Sequence, residues 1–427
     1  MRNILVAAHT LGCKVNQCDT EAVLGLLVEK ITGCKICDYS DNADIFIINT
    51  CTVTHASDKK SRQIIRRARK QNPKAIVAVC GCMAQNSPSI AQELGVDFVF
   101  DARKPEMFID NLRQMFVDST PTPDASNGVE QLRTRTRAFV KIQDGCDRFC
   151  AYCIVPYVRG KPKSRPVQDI LNEIIGLIVS GAQEIVLTGI QVACYGEDTN
   201  DINLPILITK ISSIDGIKRL RLSSIEPCAV TEEFLAAAAS SQVLCDHFHL
   251  SLQSGCDATL QRMNRRYTTA EYAQIAEQLR KIRPDTALTT DIIVGFPGET
   301  DEEFCQTMAF VQKMGFARIH VFEYSKREGT AAAAFPGQVP DKVKTGRSKQ
   351  MRDLTAQLQL DFYRAQIGKT VPVLFENSKT QNKWTGHTSN YCPVEIINTN
   401  DFNLSNVICQ VTITACTHDG LEGDLRR

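Results

Sequence analysis

The sequence predicts an α/β protein in three parts: an open parallel α/β sheet, a partial (β/α)6 barrel and a small all-β barrel. Three observations support this prediction. Short apolar runs alternate with helical patterns over residues 1–117, and the same alternation restarts within residues 132–363. A polar, turn-rich linker at residues 118–131 separates these two parts. Residues 364–427 contain only short strand-like runs separated by turns, which is typical of a small β-barrel.

The first part contains short apolar runs, each followed by a helical pattern. Strands are predicted at residues 4–8, 44–48, 75–79 and 98–100. Helices are predicted at residues 16–29, 57–70, 87–94 and 105–116. Because strands and helices alternate, we expect a sheet of parallel strands covered by helices.

The second part repeats the strand–helix unit six times. Its strands are predicted at residues 138–142, 184–187, 219–222, 247–252, 289–294 and 318–322. Its helices are predicted at residues 167–180, 204–212, 232–239, 269–282 and 301–314. A barrel of this kind gathers its functional loops at the carboxyl ends of the strands. In the third part, strands are predicted at residues 370–375, 383–386, 394–397 and 407–415.

The composition is that of a globular protein, and the net charge is close to zero. The 427 residues are 43% hydrophobic and 23% charged, with a net charge of +1. A nucleic-acid surface would therefore be a local patch rather than a global bias. We expect a cytoplasmic protein without a membrane segment, because the sequence shows neither a signal peptide nor an apolar run of about 18 residues. The 18 cysteines would then stay reduced and available to metal.

Three cysteines share one short segment of the second part. Cys146, Cys150 and Cys153 form a Cys-x3-Cys-x2-Cys motif directly after the first predicted strand of the barrel. Three thiolates in one loop can bind three irons of a [4Fe–4S] cluster and leave the fourth iron open to a small molecule. A structural zinc site would instead need two Cys pairs, or a Cys pair with a His pair. The residues 146–153 are called the cluster loop below.

A second set of cysteines follows three strands of the first part. Cys13, Cys51 and Cys82 each come just after the carboxyl end of a predicted parallel strand. Such ends share one edge of a sheet, so cysteines far apart in sequence can converge on one metal group. Three unrelated strand-end thiols remain the alternative. Cys80 is an alternative to Cys82, but Cys80 ends an apolar run and is predicted to point into the core.

These motifs together resemble the radical S-adenosylmethionine (SAM) methylthiotransferases. The resemblance rests on four segments: LGCKVN at residues 11–16, NTCTVT at 49–54, GCMAQ at 81–85 and the cluster loop. The resemblance spans almost the whole chain and implies that residues 364–427 are a TRAM-type RNA-binding barrel. It also implies two [4Fe–4S] clusters and SAM as cofactors. The iron–sulfur cluster bound by the cluster loop would generate an adenosyl radical. The second iron–sulfur cluster, bound by Cys13, Cys51 and Cys82, would supply sulfur, and a second SAM would methylate that sulfur.

Within this family, three segments resemble the class that acts on threonylcarbamoyl-adenosine of tRNA. These are LGCKVNQ at residues 11–17, RLSSIEP at 221–227 and HVFEYSKREGT at 320–330. The implied product carries a methylthio group on C2 of the adenosine at position 37, next to the anticodon. Alternatives are isopentenyladenosine tRNA, an aspartate of a ribosomal protein, or a non-catalytic iron–sulfur RNA-binding protein. The resemblance requires an electron donor and a sulfur source, which the sequence does not identify, and the oligomeric state is equally open.

Polar and small residues at strand ends are the predicted cofactor contacts. The resemblance implies that Thr188 and Gly189 contact the SAM amino group, and that Gly295 and Glu299 lie beside its adenine. Other residues at strand ends are predicted to contact the SAM ribose and carboxylate. These residues are Ser223, Glu226 and Gln253.

Cations on the predicted helix after Cys51 suggest a local phosphate-binding surface. Eight Lys and Arg residues occur between positions 59 and 74 without a carboxylate among them. We predict that three of them, Arg66, Arg67 and Lys70, contact RNA phosphates, the alternative being a solvated helix face. Arg159 follows the cluster loop and is predicted to bind a carboxylate, either that of SAM or that of the threonyl group. The β-barrel adds Lys383, Trp384 and His387 as possible RNA contacts.

Overall fold

The computed structural model describes residues 3–86, 89, 93–116, 136–199, 201–380, 382–397 and 402–426. The chain divides into two compact units. The first unit comprises residues 1–135, 145–147 and 153–161, and the second comprises residues 136–144, 148–152 and 162–427. The predicted linker at residues 118–131 lies outside the described residues.

The first unit is built on a five-stranded parallel sheet with strand order β2-β1-β3-β4-β5. The strands are β1 (Ile4–Thr10), β2 (Cys34–Cys37), β3 (Ile45–Thr50), β4 (Ile76–Gly81) and β5 (Phe98–Val99). All six residues of β3 are buried, as expected for a central strand covered on both faces. The four predicted strands are confirmed. The edge strand β2, with the sequence CKIC, was not predicted.

The helices of the first unit follow strands of this sheet, except for one that follows the cluster loop. They are α1 (Lys14–Lys30), α2 (His55–Gln71), α3 (Cys82–Asn86), α4 (Glu106–Phe116) and, after the cluster loop, α5 (Val155–Arg159). In α2 the Thr54 side chain caps the first turn by accepting from the Ser57 N–H, and Ile64, Ile65 and Ala68 are buried. Most of the helix predicted at residues 87–94 falls on residues that the structure does not describe.

The second unit contains the six predicted barrel strands in two sheets, with orders β7-β6-β8-β9 and β10-β11-β12. Two parallel bridges, Leu220–Leu244 and Ile225–Leu250, join the sheets. The strands are β6 (Arg137–Asp144), β7 (Lys163–Ser164), β8 (Glu184–Gly189), β9 (Arg219–Leu222), β10 (His247–His249), β11 (Ala287–Val294) and β12 (Arg318–Glu323). β10 is shorter than the predicted segment 247–252, and beyond its end the Tyr267 hydroxyl donates to the Ser251 and Leu252 carbonyls.

Helices of the second unit match the predicted positions, with two additions. They are α6 (Val167–Val179), α7 (Leu204–Ser212), α8 (Glu232–Ser240), α9 (Asp257–Arg262), α10 (Thr269–Ile282), α11 (Asp301–Met314) and α12 (Asp341–Arg364). The sequence did not indicate α9 or α12. The long helix α12 buries only Arg347, Ser348, Met351, Thr355 and Tyr363, so it lacks the apolar stripe by which helices are recognised.

The C-terminal segment forms a closed five-stranded barrel with order β13-β14-β15-β17-β16. Its strands are β13 (Thr370–Thr380), β14 (Lys383–Thr388), β15 (Pro393–Ile397), β16 (Val407–Cys416) and β17 (Leu421–Leu425). Trp384 is 9% exposed and belongs to the apolar core of this barrel. Its ring is therefore not available for stacking on RNA.

A buried charge cluster joins this small barrel to the first residues of β8 and β9. Arg221 donates to both carboxylate oxygens of Glu184, at 2.6 and 3.0 Å, and its guanidinium lies 4.6 Å from the centre of the Tyr391 ring. Burial by itself would raise the pKa of Glu184. The charge and hydrogen bonds of Arg221 outweigh this effect and lower the pKa of Glu184 below its usual value. Arg219 donates to the Pro372 carbonyl at 2.7 Å. The small barrel thus contacts the end of these strands opposite to their carboxyl ends.

Candidate functional site

The first candidate site lies at the carboxyl edge of the parallel sheet in the first unit. β1, β3 and β4 are adjacent, and Cys13, Cys51 and Cys82 follow their ends. Burial raises the pKa of the Cys82 thiol to about 11, and the charge of Arg159 opposes this rise. The Cys13 and Cys51 thiols are close enough to Cys82 to raise its pKa further. The structure therefore brings these three predicted ligands, called the N-terminal triad below, together.

Two glycines allow the strand ends to approach one another. Gly12 has a φ of +99°, and a Cβ on it would lie 3.0 Å from the Cys51 Sγ atom. Gly81 has a φ of +88°, and a Cβ there would lie 2.3 Å from Asn49 Oδ1. Any other residue would be strained at both positions and would push the cysteine-bearing loops apart.

Two buried asparagine side chains, whose role no sequence motif indicated, hold these loops in place. Asn16 Nδ2 donates to the Leu11 carbonyl at 2.8 Å and to the Thr50 carbonyl at 3.2 Å. Asn49 Nδ2 donates to the Asn16 carbonyl at 2.9 Å. Both side chains are fully buried, so their hydrogen bonds fix the relative positions of the loops after β1 and β3.

Arg159 lies beside the N-terminal triad. Its Nη2 donates to Asn16 Oδ1 at 2.6 Å and to Asp19 Oδ2 at 3.2 Å, and the residue is 7% exposed. Its charge and a hydrogen bond both lower the pKa of Cys82. The carboxylate that Arg159 binds in the structure is thus that of Asp19, and a contact with substrate or SAM stays a prediction.

Cys80 has a different environment from Cys82. Its side chain is completely buried in the apolar core with residues such as Ile45 and Phe108. Burial raises the pKa of the Cys80 thiol well above its usual value, which disfavours the thiolate that metal binding requires. Cys82, at the first residue of α3, is the better placed of the two ligand candidates.

The cluster loop follows β6, and backbone hydrogen bonds hold both of its ends. The Cys146 N–H donates to the Gly160 carbonyl at 2.9 Å, and a Cβ on Gly145 would lie 2.0 Å from the Lys161 carbonyl oxygen. In the second unit, the Ala151 N–H donates to the Met263 carbonyl at 2.9 Å. The three cysteines of the loop are all partly exposed. This arrangement leaves the thiols accessible to a metal cluster.

Arg265 lies against the middle cysteine of the cluster loop. Its Nη1 is 3.2 Å from the Cys150 Sγ atom and 2.8 Å from Glu226 Oε1. Burial disfavours the Arg265 charge, but nearby Tyr152, Tyr267, Cys150 and Glu226 raise its pKa well above the usual value. A fixed positive charge therefore lies next to Cys150. No sequence pattern indicated this contact, because Arg265 lies 115 residues further along the chain.

A cavity of about 220 Å³ opens beside Cys150 and Arg265. Glu226 is the predicted cofactor-binding residue that lines it, and Arg148 Nε lies 3.3 Å from the other oxygen of that carboxylate. The remaining lining residues include Ala193, Glu197, Cys228, Asn264 and Arg266. A pocket with paired cations beside a thiol suits a small anionic or zwitterionic ligand.

Other predicted cofactor residues lie at the carboxyl ends of the barrel strands. Thr188 is buried and Gly189 ends β8, while Ser223 directly follows β9. Within the described part of the chain, the buried Ser223 hydroxyl has no hydrogen-bond partner. Gln253 has a φ of +71°, which is strained for a residue with a side chain. Unsatisfied and strained groups of this kind are common where a ligand binds.

The Glu299 carboxylate holds the backbone of the glycine-rich segment that follows β11. Its Oε1 accepts from the Gly295 N–H at 2.9 Å and from Arg347 Nη1 at 2.6 Å. Burial raises the pKa of Glu299, and these two donors oppose the rise. Glu299 thus positions the backbone at Gly295. Its partner Arg347, on α12, was not predicted.

Comparison with known proteins identifies the family. The profile of the Radical SAM superfamily matches residues 140–311, and that of the uncharacterized protein family UPF0004 matches residues 5–101. The threonylcarbamoyladenosine tRNA methylthiotransferase MtaB of Bacillus subtilis is 40% identical over 93% of this chain and 91% of its own length. The chain belongs to the radical-SAM methylthiotransferase family. The MtaB protein of Thermotoga maritima is 34% identical over 98% of both chains.

A second group of relatives carries a different name. The tRNA-2-methylthio-N(6)-dimethylallyladenosine synthase of Thermoanaerobacter sp. is 35% identical over 99% of this methylthiotransferase and 93% of its own length. Among solved structures, the radical SAM methyltransferase TsrM of Kitasatospora setae has a TM-score of 0.56 at 13% identity, covering 75% of this chain and 73% of TsrM. That likeness supports the fold alone.

As a radical-SAM enzyme, this methylthiotransferase uses a [4Fe–4S] cluster and SAM. The cluster loop provides soft thiol donors, and Arg265 places a positive charge 3.2 Å from the Cys150 Sγ atom, where it would offset the negative charge of a bound cluster. The cavity lined by Glu226 and two arginines adjoins that thiol. The residues present therefore fit the cofactors that the family implies.

The cationic surface of α2 in the methylthiotransferase is only partly free. Arg66, Arg67 and Lys70, called the basic patch below, are exposed, and the structure records no ion pair for them among the described residues. Arg69 differs, because it pairs with Asp97 at 2.6 Å and donates to the Ala75 carbonyl at 2.8 Å. No described helix is long and apolar enough to cross a membrane.

Proposed function

We propose that this enzyme adds a methylthio group to C2 of threonylcarbamoyl-adenosine at position 37 of tRNA, using two [4Fe–4S] clusters and two SAM molecules. The observation that carries the proposal is the convergence of Cys13, Cys51 and Cys82 on one sheet edge, in addition to the three cysteines of the cluster loop. Radical generation alone needs only the cluster loop. A second thiol triad, braced by buried asparagines, supports a second cluster that donates sulfur.

When bound, the two clusters and SAM supply the radical that removes hydrogen from C2 and the sulfur and methyl group that replace it. The protein's own residues bind and orient these groups. Arg265 and Arg159 each hold a buried positive charge beside a candidate thiol ligand, Cys150 and Cys82 respectively. Such charges would compensate the negative charge of a bound cluster. Cys51 and Cys82 are buried and Cys13 is exposed, so the N-terminal triad is open to solvent on the side of Cys13.

SAM would lie at the carboxyl face of the barrel. Glu226 is held between Arg148 and Arg265 and lines the cavity beside Cys150, so it is the best supported contact. The unsatisfied hydroxyl of Ser223 offers a further hydrogen bond to a ribose or carboxylate. Thr188, Gly189, Gln253, Gly295 and Glu299 complete the proposed SAM site.

The tRNA contact is proposed for the basic patch. Its three cations are exposed on the outer face of α2, and α2 begins four residues after Cys51. Phosphate neutralisation by such cations provides affinity without sequence preference. A tRNA substrate is consistent with the proposed cytoplasmic location, and turnover requires a reductant and a sulfur source from the cell.

The choice of substrate class rests on the relatives. Those named threonylcarbamoyladenosine tRNA methylthiotransferase include the 40% identical Bacillus protein. Relatives named for dimethylallyladenosine are 34–37% identical, so isopentenyladenosine tRNA is the second candidate.

The test compares the two tRNA substrates in separate reactions. Anaerobically reconstituted enzyme, dithionite and SAM are incubated with tRNA carrying either modified adenosine, and nucleosides are measured by mass spectrometry. We expect the methylthio product only from threonylcarbamoyl-adenosine tRNA. A variant with all three cluster-loop cysteines changed to Ala serves as the inactive control. Product only from the isopentenyl form would reverse the class assignment, and production of neither would contradict the function itself.

A further inference from the structure

Three polar side chains lie on the inner face of the barrel, and none of them is among the predicted cofactor contacts. Along β10, β11 and β12 the apolar residues Phe248, Ile292 and Ile319, one on each strand, belong to the hydrophobic core of the unit. Side chains alternate along a strand, so the residues between them point to the opposite face, into the barrel. His249, Asp291 and His320 occupy that inner face and are called the inner triad here.

The members of the inner triad lie within reach of a common ligand. Their ligand atoms are all within 4.8 Å of one another. His249 Nε2 is 3.2 Å from Asp291 Oδ2, and the rings of the two histidines are 5.8 Å apart. Exposure increases across the group: the His249 side chain is 12% exposed, that of Asp291 is 25% exposed, and His320 is classed as exposed. The triad is therefore anchored at one end and open to the barrel interior at the other.

Thr289 fixes the orientation of His249. Its hydroxyl lies 3.0 Å from His249 Nδ1 and also 3.0 Å from His247 Nε2. His249 therefore directs Nε2 toward Asp291 Oδ2, 3.2 Å away. One side of the Asp291 carboxylate is held by His249, and the group remains partly exposed to the barrel interior.

An exposed aromatic ring lies on the same face of β12. Phe322 is two residues beyond His320, so both side chains point the same way, and Phe322 is 43% exposed. Its strand partner in β11 is Ile293, two residues beyond Asp291 and two before Gly295. The Gln253 N–H also donates to the Asp291 carbonyl at 2.9 Å. The ring thus lies between the inner triad and the strand ends where SAM is proposed to bind.

Resting on the proposed function, we infer that the inner triad and Phe322 form the subsite for the target adenine and its N6 substituent. Enzymes that act on a base read its edge with hydrogen bonds and stack its face on an aromatic ring. A carboxylate accepts N–H groups, which the adenine N6 and the carbamoyl nitrogen supply. Imidazole N–H groups donate to oxygens, which the carbamoyl and threonyl groups supply.

The same three ligands could also hold a transition metal, since two histidines and one carboxylate are a known metal-binding set. Two features favour the base. Phe322 offers a stacking surface that a metal site does not need, and His320 faces the barrel interior rather than a closed shell. The metal alternative is one outcome of the test below.

The test compares Asp291→Asn, His320→Gln and Phe322→Leu with Asp353→Asn, which makes the same chemical change on the exposed surface of α12. For Asp291→Asn and His320→Gln, the loss of one hydrogen bond to a charged group predicts a decrease of about 10- to 100-fold in kcat/KM for threonylcarbamoyl-adenosine tRNA. For Phe322→Leu, the loss of base stacking predicts a decrease of about 10-fold or more. The yield of methylthio product per 5′-deoxyadenosine should also fall in the three variants. Asp353→Asn should match the wild type in both measurements. Circular dichroism and iron content verify that each variant is folded and loaded.

The outcomes separate the subsite from the function. If the wild-type enzyme modifies the tRNA and all three variants equal it, the subsite is wrong and the proposed function stands. If the wild type does not modify the tRNA at all, the proposed function fails first. If the isolated protein retains one equivalent of zinc or manganese that is absent from His320→Gln, the triad is a metal site and the base assignment is overturned.

Discussion

A single methyl group added at Gly12 should damage the N-terminal triad. Gly12 has a φ of +99°, and an alanine Cβ would lie 2.9 Å from Cys51 Cβ and 3.0 Å from Cys51 Sγ. The left-handed backbone costs a residue with a side chain about 1–2 kcal/mol. The steric clash adds about 1–3 kcal/mol, because Cys51 is buried and cannot move freely. Gly12→Ala should therefore lower the free energy of unfolding of the first unit by about 2–5 kcal/mol.

Gly25→Ala is the matched control, because it makes the same change in the same unit. Gly25 lies within α1, has no positive φ, and a Cβ there meets nothing within 4 Å. Alanine inside a helix is favoured over glycine by about 0.5–1 kcal/mol. The control should thus be slightly more stable than the wild type.

Hydrogen exchange in urea, followed on peptides from β1, α1 and β3, measures the stability of the first unit separately. The methylthio product and 5′-deoxyadenosine are measured in parallel. Gly12→Ala should form no methylthio product while still cleaving SAM, whereas Gly25→Ala should behave as the wild type does. Equal stability and full product formation in Gly12→Ala would refute the idea that close approach at Gly12 holds the triad together.

The cysteines, the buried ion pair and the basic patch each give a further prediction. Changing all three cluster-loop cysteines to Ala should remove about half of the bound iron and all 5′-deoxyadenosine formation, as iron analysis and chromatography would show. Cys82→Ala should stop methylthiolation but not SAM cleavage; full product from Cys82→Ala with none from Cys80→Ala would reassign the ligand. Glu184→Gln should destabilise the second unit by about 3–5 kcal/mol at pH 7, because it leaves buried arginines uncompensated. The pKa of Glu184 is lowered in the folded protein, so this difference in denaturant stability should shrink as pH falls through that lowered value; a pH-independent difference would contradict the ion-pair explanation. Replacing the basic patch with Ala should weaken tRNA binding and reduce the slope of log affinity against log salt by about one unit for each phosphate no longer neutralised. If its affinity and slope equal those of a control triple variant on α12, the patch is only a solvated helix face. That control replaces three exposed cations with Ala: Lys342, Lys349 and Arg352.

Much of the architecture could be predicted because local sequence patterns indicate most of its strands and helices. The strands β1, β3 and β4 are mainly apolar runs, the barrel strands are apolar or alternating runs, and most of these strands are followed by helical periodicity. The spacing of the cluster loop and the position of Cys13 and Cys51 after strand ends are equally local. Parallel topology then brings the strand ends to one edge, so the N-terminal triad could be proposed without coordinates.

The sequence by itself determined the order of elements, the cysteine motifs and, through resemblance, the family. Only the tertiary structure decided which distant polar groups meet. It placed Arg265 against Cys150, Arg159 against Asp19, and α12 against Glu299. It also assembled the inner triad from strands whose members are 29–71 residues apart. The physical reason is that periodicity reports burial within one element, whereas such contacts depend on register and packing between elements, which no local pattern encodes.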